Sequence, residues 1–463
     1  MLVAGIDSST QSTKIVLCRA EDGVVVDQAA APHPDGTECD PRHWWEALEK
    51  AGGGLLRQAA AVAVAAQQHG MVVLDGTGEV IRPALLWNDT RSAPQARALT
   101  EEFGARAWAT RTGSVPVASF TVTKLRWLAE HEPEHAKRTE TVLLPHDWLT
   151  LRLGADEPVT DRGDASGTGY WSPAEGAYLP DIVRAAIGHD VRLPRVAGPA
   201  EVVGQTPAGA KLGPGTGDNM GAALGLGLEP GEVVVSIGTS GTAFAVGDEP
   251  TADATGLVAG FADATGRFLP LVCTLNAARV LSSTAALLGC SLDELSALAL
   301  AARPGAGGLT LLPYLDGERT PNRPDATGVV RGLTTGNATR ENLARAAVEG
   351  LLASLADAVD HLTAHGVRLR RVLLIGGGAR STAVRKLAPA IFGVPVSVPE
   401  PGEYVALGAA RQAAWALAGT PRPPAWPRPR AEEYEAPPTP VVREQYGALR
   451  DATETWHTPA HPS

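Results

Sequence analysis

The sequence predicts an α/β fold made of two related halves. Three observations carry this. Short apolar runs of strand length alternate with helix-period segments along the whole chain. A strand, small polar tip and return strand opens the chain at residues 2–18, and the same pattern recurs at 232–246. Between them, residues 198–217 are rich in glycine and proline, which places a domain boundary near 210–217, with domains of 1–214 and 215–463. The 463 residues, 44% of them hydrophobic and 20% charged, are enough for two sizeable cores.

In the first half, Leu2-Val-Ala-Gly-Ile6 reads as a buried strand and Lys14-Ile-Val-Leu-Cys18 as its return. The tip, Asp7-Ser-Ser-Thr-Gln-Ser-Thr13, carries one carboxylate among hydroxyl and amide side chains. Such a tip either wraps phosphate oxygens or is simply a polar turn. Asp40 and Pro41 start a helix as N-cap and first-turn residue. Ala61-Val-Ala-Val-Ala65 is a strand ending at Gln67-Gln-His-Gly70, where sheets of this class present ligand-facing residues. Residues 71–74 and 84–87 continue as strands, ending at Asn88-Asp-Thr-Arg91. Residues 93–111 and 121–131 have helical spacing, 141–144 reads as a strand, and Asp161–Gly169 as a polar loop. Then Gly213-Pro-Gly-Thr-Gly-Asp-Asn-Met-Gly221 puts Asp218 at a glycine-rich turn before a helix of small residues, as a helix cap or as a catalytic carboxylate.

In the second half, the strongest helix spans 340–365, with Gly366 beyond it as the cap. Arg371-Val-Leu-Leu-Ile375 is a strand running into Gly376-Gly-Gly-Ala-Arg-Ser381, then a helix to about Phe392. Val394–Val398 reads as a strand and Val405–Leu417 as a closing helix; the proline-rich last 45 residues read as a wrapping tail with at most a terminal helix.

The net charge of −11 argues against nucleic acid as a partner. Cys18, Cys39, Cys273 and Cys290 lack metal or disulfide spacing, no leader or membrane span is apparent, and a cytoplasmic location is expected. Walker-loop, dinucleotide and nucleophile-elbow motifs are missing. His131-Glu-Pro-Glu-His135 matches the zinc-protease pattern, but Pro133 breaks the helix on which both histidines would have to sit.

Taken in order, Gly5-Ile-Asp7, Gln68-His-Gly70, Leu86-Trp-Asn-Asp89, Lys124-Leu-Arg-Trp127, Leu144-Pro-His-Asp147, Asp164-Ala-Ser-Gly-Thr168, Gly217-Asp-Asn219, Ser236-Ile-Gly-Thr-Ser-Gly241, Leu312-Pro-Tyr-Leu-Asp-Gly-Glu-Arg-Thr-Pro321, Leu374–Ser381 and Ala406–Ala410 resemble the FGGY family of carbohydrate kinases, and its pentulose branch most. The resemblance spans nearly the whole chain. It implies the duplicated ribonuclease H-like (actin/hexokinase-type) ATPase fold, two domains around a cleft, and ATP-dependent, Mg²⁺-assisted phosphorylation of D-xylulose to D-xylulose 5-phosphate.

By that resemblance Asp218 is the general base and Asp7 orients Mg²⁺ or its waters. Thr10, Gln11, Ser12 and Lys14 meet the phosphates from one tip, and Gly238 and Thr239 from the other. Gly376, Gly377, Gly378 and Ser381 border the adenosine. Gln68, His69 and Asn219 bind the sugar, with Trp87 (pocket wall or core) and Asp89 close by, while Glu318 and Arg319 read as a structural brace. Ser9 and Gln68 depart from the family, where many members have glycine and methionine. The partners implied are the sugar and ATP, with neither nucleic acid nor membrane; a homodimer stays open. The competing readings are a kinase of ribulose, glycerol, gluconate or a sugar alcohol, a non-catalytic sugar sensor, and an actin-like or chaperone-like ATPase.

Overall fold

The opening hairpin is the centre of the first sheet. In the computed structural model, which describes residues 1–456, Leu2–Ser8 pairs antiparallel with Ser12–Arg19 on one side and parallel with Ala61–Ala66 on the other. The full order is Gly204–Gln205, Lys211–Leu212, Ala61–Ala66, Leu2–Ser8, Ser12–Arg19, Val25–Pro32, with Thr216–Gly217 also joined to Ala61–Ala66. Side chains alternate between the faces, as strand geometry requires. Ala4, Ile6, Ile15, Leu17, Val62 and Val64 pack against Trp44, Leu48, Trp148 and Leu149 of the helices Pro41–Gly52 and Pro145–Leu153. Val3, Val16, Cys18, Ala61 and Ala63 pack on the other face against Ala406, Ala410, Ala413 and Ala414 of the helix Tyr404–Ala418.

The chain forms two compact units. The first holds Met1–Leu228, Gly247–Pro270 and Gly402–Arg428; the second holds Glu229–Val246, Leu271–Pro401 and Pro429–Ser463. The division set at 214/215 from the glycine and proline content therefore differs from the contacts. The helix Asp218–Leu226 stays with the first unit because it packs on Tyr404–Ala418 through bare backbone: a Cβ on Gly408 would lie 1.8 Å from the Gly221 carbonyl oxygen, and one on Gly225 2.1 Å from that of Tyr404.

The second unit repeats the sheet pattern. Glu232–Ile237 pairs antiparallel with Gly241–Ala245 and parallel with Arg371–Ile375. Arg371–Ile375 pairs parallel with Val396–Pro399, which pairs antiparallel with Ala431–Tyr434. The helix Arg340–Ala364 is largely buried. The tail contributes more than expected: a strand, Ala431–Tyr434, and the helix Pro440–Ala452, pinned by the Tyr314–Tyr446 hydroxyl pair at 3.0 Å and by Arg443 and Arg450 on Asp357.

Three local expectations change. The span 93–111 is two helices, Ala93–Phe103 and Ala105–Thr112, separated by Gly104 at φ 84°. The loop at 161–169 contains a short helix, Arg162–Ala165, because the Asp161 carboxylate accepts from the amides of Gly163 and Asp164. The helix Thr121–His131 ends where Pro133 predicted, with Glu132 at non-helical angles. Among the described residues no single helix is long and apolar enough to cross a membrane.

Candidate active site

In the first unit, adjacent strand ends converge. Ala65 sits between Asp7 on one side and Thr216 on the other, and Gly217 pairs with Ala66. Asp7 ends one strand, Gln68 and His69 follow the second, and Asp218 and Asn219 follow the third. The cap position of the third turn is Gly217, in extended conformation, and Asp218 is the first helical residue. The cap alternative for Asp218 is thereby corrected: with Gly217 extended, the helix begins one residue earlier than an aspartate cap would need, so its carboxylate accepts instead from the Asn219 amide N–H at 2.7 Å and from Asn219 Nδ2 at 2.9 Å. Asn219 Nδ2 also donates to Gln68 Oε1 at 3.1 Å.

Electrostatics pull Asp218 toward neutrality. Removal from water and the neighbouring Asp7 carboxylate push its pKa up to about 7, with a further push from Asp164, against the Asn219 hydrogen bond. Burial also raises Asp7, to about 6, opposed by a hydrogen bond from Ser9 Oγ and by Lys14. Lys14 itself is paired with Glu403 at 2.6 Å, a partner nearly four hundred residues away that local reading did not anticipate.

His69 is held in an unusual conformation. Its φ is 67°, a left-handed value rare for a residue with a side chain. Its carbonyl accepts from Lys124 Nζ at 2.9 Å and Thr121 Oγ1 at 3.2 Å, its Nδ1 lies 2.6 Å from the Gly167 carbonyl, and its ring stacks on Phe120. With Nδ1 donating to that carbonyl, Nε2 carries the ring lone pair. Lys124 is fully buried, and desolvation lowers its pKa to about 7 despite Asp89. Its motif was noticed from the sequence, but its role on the His69 carbonyl needed the fold.

The remaining first-unit residues divide. Thr10, half-buried, accepts from the exposed Trp87 indole N–H at 2.8 Å, so Trp87 is a surface residue tied to the tip and not core. Gln11 is exposed and Ser12 half-buried at the same turn, which is closed by the Ser9 amide donating to the Ser12 carbonyl. Asp89 is buried, with its carboxylate engaged by Arg91 and by Thr37 Oγ1.

A buried cluster missed as a unit lies beside Gln68. His146 Nδ1 is 2.6 Å from Asp164 Oδ2, and its Nε2 is 3.2 Å from Asp147 Oδ1. Burial alone would lower the His146 pKa, but Asp147, Asp164 and Asp161 outweigh it and raise it to about 9, leaving an imidazolium between carboxylates. Thr216 Oγ1 donates to Asp161 at 2.8 Å, which links this cluster to the turn before Asp218. His146 and Asp147 are adjacent, but Asp164 lies 18 residues from His146 in a separate motif, so only the two motifs and not their junction are visible in the sequence.

In the second unit, Gly238 and Thr239 form the tip between Glu232–Ile237 and Gly241–Ala245. Their carbonyls accept from the amides of Ala278 at 2.8 Å and Ala277 at 3.2 Å. Glu318 braces this corner: it accepts from Leu275 N at 2.6 Å and Asn276 Nδ2 at 3.0 Å. The glycine run after Ile375 has distinct tasks. Gly376 adopts φ 88° and Gly378 lies against Ile237, where a Cβ would come within 2.2 Å of a methyl carbon. Gly377 has nothing within 4 Å of an added Cβ. Ser381 caps the helix Thr382–Phe392 and shares its hydroxyl with Ser296.

This two-unit chain matches known proteins along almost its full length. The FGGY family of carbohydrate kinases, N-terminal domain, matches residues 2–227, and the C-terminal domain of that family matches 233–417. The chain is 51% identical over 435 residues to a xylulose kinase of Streptomyces coelicolor, covering 90% of this chain and 88% of that protein. It is 50% identical over 439 residues to a xylulose kinase of Streptomyces rubiginosus, covering 90% and 88%. The crystal structure of a xylulose kinase from Bifidobacterium adolescentis superposes with a TM-score of 0.91 at 46% identity, covering 97% of this chain and 99% of that one.

Proposed function

This chain belongs to the FGGY family of carbohydrate kinases, and on that premise we propose that it transfers the γ-phosphoryl group of ATP to D-xylulose, forming D-xylulose 5-phosphate and ADP. The family carries the actin/hexokinase-type fold, in keeping with the repeated sheet pattern of the two units. The substrate assignment rests on the half-identity with xylulose kinases over nine-tenths of the chain. The mechanistic assignment rests on one observation: a partly buried carboxylate, Asp218, whose pKa is raised to about 7 and whose Oδ1 is held by Asn219.

A sugar hydroxyl is a weak nucleophile at neutral pH. Asp218 accepts its proton as the hydroxyl oxygen bonds to the γ-phosphorus and the bond to the ADP oxygen breaks. A base with a pKa near the working pH combines a useful ionised fraction with proton affinity. His69 Nε2, Asn219 and the Trp87 side bind and orient the sugar. The tip at Thr10, Gln11 and Ser12 and the tip at Gly238 and Thr239 offer hydroxyls and backbone amides to phosphate oxygens. The open face of Gly377 is where adenosine lies against bare backbone.

Asp7 fits a Mg²⁺ role. Its carboxylate is buried beside a second raised carboxylate, and the nearest lysine, Lys14, is shared with Glu403. Such a set of hard oxygen donors with uncompensated charge suits a magnesium ion that keeps several waters. Bound there, the ion would neutralise charge on the phosphates.

A coupled assay of ADP release over D-xylulose, D-ribulose, glycerol and gluconate tests the substrate. Turnover of one of the other three well above D-xylulose overturns it. Asp218→Ala should lose at least about 10²-fold in kcat, the usual scale of general-base catalysis, with folding and ATP binding intact.

A further inference from the structure

Two unfavourable features of the first unit meet at one carbonyl. His69 has φ 67°, in the left-handed region; among the described residues Ala306 is the other non-glycine residue with positive φ. A side chain at such angles stores strain and persists only where its surroundings hold it there. Lys124, near the start of the helix Thr121–His131, is fully buried. Among the described residues no carboxylate lies within ion-pair distance of it, and Asp89 acts on it only through space. Taking a charged amine out of water is expensive. Its hydrogen bonds go to two main-chain carbonyls, His69 at 2.9 Å and Ser119 at 2.5 Å.

Those two bonds tie both ends of His69 to one helix start. At the main-chain end, Thr121 Oγ1 joins Lys124 Nζ and donates to the same carbonyl oxygen at 3.2 Å. At the ring end, His69 stacks on Phe120 with centroids 4.8 Å apart, and its Nδ1 donates to the Gly167 carbonyl at 2.6 Å. Phe120 follows Ser119, so the second Lys124 bond fixes the main chain that carries the stacking ring. Val122 N donates to the Thr168 carbonyl at 2.9 Å, which holds the Gly167 segment against the same helix start. Gly167 must stay bare, since a Cβ there would lie 2.9 Å from His69 Nδ1. With Nδ1 donating, Nε2 carries the lone pair and meets a sugar hydroxyl as an acceptor.

We propose that Lys124, assisted by Thr121, is a positioning residue for sugar binding: by bridging the His69 and Ser119 carbonyls it keeps His69 in the left-handed turn that aims its ring at the sugar. The inference rests on the sugar contact given to His69. Lys124 is fully buried and itself touches neither substrate. Without the bridge, His69 relaxes toward negative φ, its peptide turns, and the ring leaves Phe120 and the Gly167 carbonyl. Thr10, Gln11, Ser12, Gly238 and Thr239 lie on other turns, so the loss falls on the sugar and not on the nucleotide.

The test is steady-state kinetics on the full chain, varying D-xylulose and ATP separately, with denaturation midpoints measured alongside. Lys124→Met keeps the length of the side chain and removes both donors. It should raise KM for D-xylulose about tenfold, the effect of one lost oriented hydrogen bond, and leave KM for ATP within about twofold. Thr121→Val removes only the longer bond to the same oxygen, and it carries the test if Lys124→Met does not fold. It should raise KM for D-xylulose about threefold. In a His69→Ala background either change should alter kcat/KM for D-xylulose by less than about twofold, because the residue it acts through is gone. A merely structural lysine would instead lower the midpoint and kcat with both KM values unmoved, equally in both backgrounds. An unchanged KM for D-xylulose, an equal rise in KM for ATP, or equal effects with and without His69 overturns the proposal. His69→Ala alone separates the two levels. An unaltered KM for D-xylulose in that variant removes His69 from the sugar and the proposal with it, whereas a raised KM there, with Lys124→Met and Thr121→Val indifferent, removes the Lys124 role alone.

Discussion

Gly408→Ala is the sharpest test of how the fold holds its carboxylate. The helices Asp218–Leu226 and Tyr404–Ala418 touch through backbone, and an added Cβ at 408 would lie 1.8 Å from the Gly221 carbonyl oxygen, 2.7 Å from its carbon and 2.9 Å from Gly225 N. Ordinary contact needs close to 3.4 Å, so the helices must part by about 1.5 Å, and no rotamer can absorb a methyl group wedged between two backbones. Overpacking of this kind costs about 1–3 kcal/mol, and the backbone contact on both sides places Gly408→Ala at the upper end. The same displacement acts on Asp218 at the head of one of the parted helices. A shift on the order of 1 Å in a reacting group costs about 10²-fold in rate. The expected result is a clear drop in denaturation midpoint together with a kcat loss near that size. Gly419→Ala is the control. It ends the same helix at φ 61° with nothing within 4 Å, so it should cost about 1 kcal/mol from backbone strain and leave kcat alone. A Gly408→Ala protein of wild-type midpoint and turnover would refute the close-packing account.

Further expectations follow from the same geometry. Asp218 must be ionised to accept a proton, and its pKa is raised to about 7; kcat/KM for the sugar should therefore fall as pH drops through that value, by about tenfold between pH 8 and pH 6, and a flat profile over this range would remove Asp218 as the titrating base. Gly377→Ala meets no protein atom within 4 Å, so a rise in KM for ATP at unchanged thermal stability would report nucleotide lying against it, and unchanged KM would place the adenosine elsewhere. Tyr446→Phe leaves the buried Tyr314 hydroxyl without its 3.0 Å partner and should destabilise the protein by about 1–3 kcal/mol, measured by urea denaturation, with kcat unaffected.

What could be read along the chain was whatever neighbouring residues decide. Alternating apolar residues and polar tips announced both hairpins, Pro133 announced the end of the helix at His131, and the order of short motifs announced the family. The covalent pattern also put Asp218 next to Asn219, and the resemblance gave it its role. Other features depended on residues far apart in sequence. The glycine-rich passage at 198–217 looked like a boundary, yet the following helix stays with the first unit because Gly221 and Gly225 admit the backbone of residues near the other end of the chain. Asp89 is expected close to the sugar from the resemblance, and only the fold shows that Arg91 and Thr37 also hold its carboxylate.

The sequence by itself determined the strands and the tips, since these follow from local periodicity and side-chain chemistry, and the resemblance put Asp218 forward as the reacting carboxylate. The tertiary structure alone decided how the site's side chains are charged and aimed. Desolvation and the field of Asp7 raise the pKa of Asp218, Lys124 holds the carbonyl of His69 in a left-handed turn, and Asn219 Nδ2 bridges Asp218 and Gln68. Coulomb energy and hydrogen-bond direction depend on separation in space, and separation along the chain does not encode it.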